Sequence, residues 1–519
     1  MLLPVTAKIN ARRIGPWIVG VSALSASSIL AYRLIFPDVA DRMPLAAALG
    51  GNPALSLIFG PAHDLLTNDG FNAWRSGALG TFFAALMAIL TVVSTSRADE
   101  DSGQAELLAS GVLGRQARLA VAVALAAVAS LVLGVVCFLI TIAVGGAVVP
   151  SLLLAATFSA SGAMFTGVAA VAVQLGSEAR SASSIAIGVL GICFVLRGFI
   201  DTIDAPGWAS WITPFGWLEH VRPATDNNPW PLLAALALSA VLIGVAFILD
   251  HRRDFGAGII GPRPGPDRGG MTSNVWGLAL RLNRASLITW VIAFTGLGVI
   301  FGYLAGSITD LLGANESLSD VFAANGGTTS NLVFAFLVTI LQMAGLIAAI
   351  AGVQIVNRIV VEEDDFRVEP LLAGSLRRGT YLAANLTVAY LAPAVFLLIA
   401  AAVIGVLAAD TSVAFGDVLA QGFVTIPAVW TLIAVAAAAV GARPALRLAG
   451  WMSVLAAFAL TILGPTFKLP EWALSISPLH HVPNVTAAQP NWTGLAAVIG
   501  VFAVLTTTAF TGFRHRDIA

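Results

Sequence analysis

Two acidic runs are the first residues whose types and spacing suggest chemistry. Asp99-Glu100-Asp101 precedes Glu106-Leu107-Leu108-Ala109-Ser110-Gly111-Val112-Leu113-Gly114-Arg115. Glu362-Glu363-Asp364 precedes Glu369-Pro370-Leu371-Leu372-Ala373-Gly374-Ser375-Leu376-Arg377-Arg378. Carboxylates at the start of a short apolar segment and arginine at its end both complement a helix dipole. The pairs Leu107-Leu108 and Leu371-Leu372 are out of place in a water-facing loop and suit burial against a partner. The competing reading is a solvated loop with ordinary charge, and the duplicated pattern favours docking. A phosphate-cradling P-loop needs a lysine after its glycines. The only lysines are Lys8 and Lys468, and neither lies in such a motif. If ATP drives this chain, another subunit binds it.

Other reactive groups are few. Arg197 is followed one helical turn later by Asp201, with Asp204 nearby. Ionisable groups in a span default to functional hypotheses, so this pair reads either as an interfacial ion pair or as an outer gate. No chain of Asp, Glu or His crosses the apolar segments, which counts against a proton relay. His220, His480 and His481 lack ligand spacing and nearby Cys, so no metal is expected. Cys137 and Cys193 fall in apolar runs and read as small core residues, not as a disulfide framework.

The elements that must position these residues are membrane helices. Of 519 residues, 58% are hydrophobic and 11% charged, against about 25% charged in soluble domains. Lipid is therefore a large part of the solvent. The net charge of -1 gives no general pull toward nucleic acid. A spanning helix needs about 20 mostly apolar residues, because about 1.5 Å per residue must cross about 30 Å of hydrocarbon. Spans are predicted near 15–33, 76–96, 118–142, 151–174, 183–200 and 230–249, then near 286–306, 331–355, 380–407, 419–441, 446–464 and 492–512. All of the 27 basic residues except Arg33, Arg42, Arg75, Arg197, Arg222 and Lys468 fall in one alternating set of loops. Basic loops lie inside, so both termini are expected in the cytoplasm, in agreement with an even number of spans.

The sequence also repeats itself. The acids, Gly111/Gly374, Leu113/Leu376, Arg115/Arg378 and Arg253-Asp254/Arg516-Asp517 match at one offset of 263 residues. Pro206, Trp208, Ile212 and Pro214 match Pro470, Trp472, Ile476 and Pro478 one residue further on. Each repeat holds six spans, an even number, so the expected architecture is all-α, with two parallel six-helix repeats about an axis along the membrane normal. The halves are residues 1–249 and 286–519. The Pro- and Gly-rich segment 250–285 between them reads as an exposed linker with a short amphipathic helix at Val275–Leu282.

The acidic loops resemble the coupling helices of ABC-2 type exporter permeases, and Phe513-Arg514-His515-Arg516-Asp517-Ile518 resembles the ending common there. Arg252-Arg253-Asp254-Phe255-Gly256-Ala257-Gly258 with Arg263-Pro264-Gly265-Pro266 is similar to the duplicated polyketide-antibiotic (tetronasin-type) exporter permeases of actinobacteria. The resemblance implies a type V-like ABC exporter fold in a bacterial plasma membrane. It implies a hydrophobic small-molecule cargo, as in multidrug or antibiotic efflux. No cofactor is expected on this chain, with ATP and Mg on two copies of a partner ATPase. Glu100, Asp101, Glu106, Leu107, Leu108, Glu363, Asp364, Glu369, Leu371 and Leu372 would face that ATPase. By analogy spans 2, 5, 8 and 11 line the path. Phe82, Phe83 and Met87 then become candidate cargo contacts, with Phe336, Gln342 and Met343, although packing or lipid contact is the commoner role of such residues. Gln342 and Gln174 also suit helix–helix hydrogen bonding, and Gly298, Gly302 and Gly306 suit close helix packing. The Trp- and Pro-rich segments 201–229 and 465–491 read as an aromatic belt or, by analogy, as short re-entrant helices. The alternative function is an ion-gradient-driven secondary transporter with twelve helices.

Overall fold

The structure, a computed structural model, describes residues 2–50, 53–101, 116–202, 206–253, 258–261, 274–313, 329–408, 413–463, 470–487 and 489–516. These residues are helical and contain no β-sheet, and twelve of their helices are long and apolar enough to cross a membrane. We label the spanning helices α1 (Leu2–Ile35), α2 (Asn68–Ser94), α3 (Ala117–Ala143), α4 (Val148–Leu175), α5 (Ala179–Thr202) and α6 (Trp230–Arg252). Then follow α7 (Val275–Gly313), α8 (Thr329–Asp364), α9 (Arg378–Leu407), α10 (Phe415–Ala442), α11 (Ala449–Phe458) and α12 (Trp492–His515).

Every predicted span has its helix, but several helices outrun their apolar windows. Hydropathy stops where charge begins, whereas helical hydrogen bonding does not. Thus α1 starts ahead of Lys8, Arg12 and Arg13. Val275–Leu282 is not a separate surface helix but the first two turns of α7. The apolar run after α11 closes in a π-turn, Ala459–Leu463. A π-turn accommodates one extra residue, as the one-residue longer offset of the following segment requires.

The chain divides into two compact units, Met1–Gly265 and Pro266–Ala519. In the first, α4 packs on α2, α3 and α6, and α1 packs on α2 and α3. In the second, α10 packs on α8, α9 and α12, and α7 packs on α9 and α8. The fourth helix of each set of six is therefore its hub.

Packing in lipid relies on close backbone approach and interhelical hydrogen bonds, because apolar contacts alone gain little over lipid tails. On α4, Ser161 donates to the Thr81 carbonyl at 2.7 Å and Ser159 to the Ser130 carbonyl at 3.0 Å, while Ser239 of α6 donates to Ala163 at 2.7 Å. On α7, Gly298 and Gly302 lie so near α9 that a Cβ would meet Val403 at 2.8 Å and Leu407 at 2.7 Å. Gln342 bonds the carbonyl of Leu479 at 3.3 Å. The side-chain oxygen of Gln174 is buried without a partner, and the Gln174 and Leu175 carbonyls accept from Ile259 and Ile260. The interunit linker thus begins bonded to the end of α4.

Candidate functional site

Helical continuation carries both acidic runs away from the apolar windows. In the first unit the short helix Arg97–Asp101 extends α2, and in the second α8 itself reaches Asp364. Glu100 receives Arg253, from the end of α6, at 2.7 Å. Glu363 receives Arg516, from the end of α12, at 2.5 and 2.7 Å. Both pairs span 153 residues of chain, so one ion pair is built twice at corresponding positions. Arg97 and Arg118 also reach Glu100, at 2.6 and 3.2 Å, and Arg516 lies over the Phe513 ring. Only 5% of the Glu100 side chain and 7% of the Glu363 side chain are exposed. These two glutamates, expected to face a partner, are engaged with arginines of their own unit.

The neighbouring aspartates make a second, lateral tie. Asp101 accepts from the amide of Ala179, the first residue of α5, at 2.6 Å. Asp364 pairs with Arg447, just ahead of α11, at 3.3 Å, and both side chains are largely exposed. Each acidic run therefore joins the second helix of its unit to the sixth and to the approach of the fifth. Beyond Asp364 the chain turns through Phe366, which has φ 58° and an exposed ring. Its amide bonds the Glu363 carbonyl, closing the helix end. The short helix Glu369–Leu372 follows. Glu369 is exposed, whereas Leu371 and Leu372 are half-buried against their own unit. Glu106, Leu107 and Leu108 lie outside the described residues.

At the opposite end of the first unit lies a cavity of about 80 Å³ that is open to solvent on one side. Arg197 of α5 is buried at its edge. Its guanidinium donates to Glu219 at 2.8 Å and to the Ile58 carbonyl at 3.1 Å, lies 3.4 Å from Asp201 and covers the Phe194 ring. Glu219 ends the short helix Pro214–Glu219, whose start is fixed by Thr213 accepting from Gly216. Gly60 has φ 84°, and a Cβ there would stand 2.8 Å from the Glu219 carboxylate. Its carbonyl accepts from the Trp74 indole at 3.0 Å. A glycine is required at this position on both counts. Phe59, Trp74, Phe194 and Phe215 supply the aromatic lining.

Two carboxyl groups share one buried arginine at the edge of the cavity. Burial pushes the Glu219 carboxyl up to about 8; Arg197 opposes the shift and Asp201 adds to it. Burial, with Arg222 nearby, holds His220 and His63 below the ordinary histidine value. The rim turns through Arg222, Ala224 and Asn227, all with positive φ. Non-glycine residues pay for that conformation only where the surroundings enforce it.

The other candidates scatter. Phe82 packs edge-on against Phe194 at 4.9 Å, one ring back from the cavity. Phe83 is partly exposed beside Trp17. Met87 is 1% exposed in the packing of α1, α2 and α3. Phe336 is half-buried against the second unit's core, Met343 is half-buried, and Gln342 is occupied by the Leu479 carbonyl. Sequence reasoning missed Gly60, Trp74 and Glu219. The available signal was an acid in an otherwise apolar, Trp-rich segment.

The sequence matches the family described as "Multidrug efflux system permease Rv1217c, C-terminal domain" over residues 20–249 and 273–514, one stretch in each unit. It is 36% identical over 511 residues to the multidrug efflux system permease protein Rv1217c of Mycobacterium tuberculosis (strain ATCC 25618 / H37Rv), covering 97% of this chain and 92% of that protein. A twelve-span chain with a twice-built ion-paired end, matched along nearly its whole length, belongs to the multidrug efflux permease Rv1217c family.

Proposed function

We propose that this chain is the membrane subunit of an ATP-driven exporter of hydrophobic or amphipathic small molecules, with the ATP site on a separate ATPase. The carrying observation is the duplicated pair Glu100–Arg253 and Glu363–Arg516. It fixes each acidic run to the last helix of its own unit, so a push on the run moves a bundle and not a loose loop. Two equivalent attachment points suit two copies of one ATPase. Exposed Glu369 and Asp364, with Glu106 and the Leu107-Leu108 pair, are the surface offered to it. The bias of basic residues supports placing this end, and both termini, in the cytoplasm of a bacterial plasma membrane. The narrower kinship with tetronasin-type exporters, and with it the type V-like arrangement of parallel repeats, rests on the linker and C-terminal residues.

ATP binding closes the ATPase dimer, and the closed dimer selects one arrangement of the two bundles, provided that ATP binds it more tightly than the open one. Changing Glu106→Lys together with Glu369→Lys is expected to abolish cargo-stimulated ATP turnover by the co-purified ATPase while leaving the chain inserted. Unchanged stimulation would remove the docking assignment. Efflux that follows an ion gradient, with no ATPase bound, would favour a secondary transporter. Against that alternative, the acids of the described spanning helices lie only at helix ends, leaving no relay along them.

A further inference from the structure

The cavity of the first unit combines three features not found together in the described part of the second. It is about 80 Å³ in volume, it is lined by Phe59, Trp74, Phe194 and Phe215, and at its edge two carboxyls, Glu219 and Asp201, share the one buried Arg197, while Arg222 of the lining is paired with Asp226. Arg197 is already committed to Glu219, Asp201 and the backbone carbonyls of Leu57 and Ile58. The buried Asp201 oxygen that faces Arg197 lies 3.4 Å from it, a long contact. Glu219 keeps 23% of its side chain exposed and lines the cavity. Aromatic faces attract cations as well as apolar bodies.

We propose that this cavity binds an amphipathic organic cation, its charge against Glu219 and its apolar body among the four aromatic rings. This deepens the efflux reading by naming a cargo class, and it rests on that reading only for its direction of transport. In the empty cavity the surplus charge is cancelled by a proton on the Glu219–Asp201 pair, consistent with the raised Glu219 carboxyl. On binding, the cation replaces that proton, which leaves to solvent, so the charge of the site is conserved. The remaining charged and titratable neighbours are Asp64 and His63 ahead of α2, and His220, Arg222 and Asp226 beyond Glu219. Asp64 is capped by the amides of Leu66 and Thr67, and Arg222 is paired with Asp226. Burial and Arg222 hold both histidines below the ordinary histidine value. At the corresponding positions the second unit has Thr461 for Arg197 and Pro483 for Glu219, so no equivalent charge is available there.

The test uses tetraphenylphosphonium, whose charge is independent of pH, on the full chain in uncharged detergent without an ATPase. Binding is expected to tighten toward tenfold per pH unit between about 6 and 8 and to level off above, because one proton is released per cation bound. Neutral triphenylphosphine oxide should compete at least tenfold more weakly. Glu219→Gln, which keeps size and shape, should weaken binding at least tenfold at pH 8.5 and flatten the pH profile. Binding that ignores both pH and the substitution, or equal competition by the neutral oxide, overturns the proposal. The wild-type pH profile and competition decide the matter even if the variant does not fold. Because no ATPase is present, failure here leaves the ATP-driven reading to be judged by the Glu106/Glu369 variants alone.

Discussion

The two units agree at one end and disagree at the other. At the basic end each builds the same glutamate–arginine pair across 153 residues and ties the neighbouring aspartate to the approach of its fifth helix. At the far end the first unit uses Arg197, Asp201 and Glu219 around an open cavity. The second fixes its corresponding segment with uncharged groups. Gln421 donates to the Pro483 carbonyl and accepts from the Val485 amide, both at 3.0 Å, and Thr461 meets Ser477 at 2.8 Å. A duplication starts with two copies of everything. The feature present twice is the glutamate–arginine tie, and under the proposed function it suits a symmetric pair of partners. The feature that differs is the charged cavity, and under the same proposal one set of contacts with cargo suffices.

The comparison breaks first at the basic end. Glu100→Ala removes a carboxylate shared by Arg253, Arg97 and Arg118, leaving Arg253 to Asp250 and Arg97 to Asp101 and the Ser177 carbonyl, whereas Glu363→Ala removes the carboxylate that Arg516 meets. Uncompensated buried charge costs about 3–5 kcal/mol. Both variants should therefore lower the thermal midpoint in detergent, with Glu100→Ala the more severe. Equal losses would mean that the extra arginines in the first unit are idle. The cavity end gives the next effect. Gly60→Ala imposes a Cβ at positive φ against Glu219, a strain of about 1–3 kcal/mol. It should also reduce tetraphenylphosphonium binding. An unaltered midpoint and affinity would show that the cavity wall yields. The smallest effect belongs to Asp364→Asn, which removes an exposed pair with Arg447 worth about 0–1 kcal/mol. A large drop in midpoint would show that this lateral tie bears more of the fold than its exposure suggests.

Much of the fold was legible because hydropathy and helix length are local properties. All twelve spans could be read that way, as could the duplication that places Glu100 with Glu363 and Arg253 with Arg516. That these matched positions are bonded to each other within each unit was not read, since two matches in a line of sequence carry no distance. The cavity was less legible still. Its parts come from the segment around Gly60, from α2, from α5 and from the Pro214–Glu219 helix, and each contributes one or two residues without a motif. Arg197 and Asp201 were visible as neighbours one turn apart. Glu219, 22 residues on from Arg197, had no periodicity to connect it to them. Met87 shows another limit: residue type and helix were legible, but not that the side chain is buried among α1, α2 and α3.

One consequence follows from the reach of α8. Its 36 residues, at about 1.5 Å each, extend about 54 Å, whereas hydrocarbon occupies about 30 Å. Even a tilted rod of that size overhangs the bilayer, with Glu363 near its tip. In the coupling proposed above, that overhang is a crank handle standing clear of the lipid, and a modest stroke at the grip would swing the submerged shaft without any of its hydrogen bonds having to break.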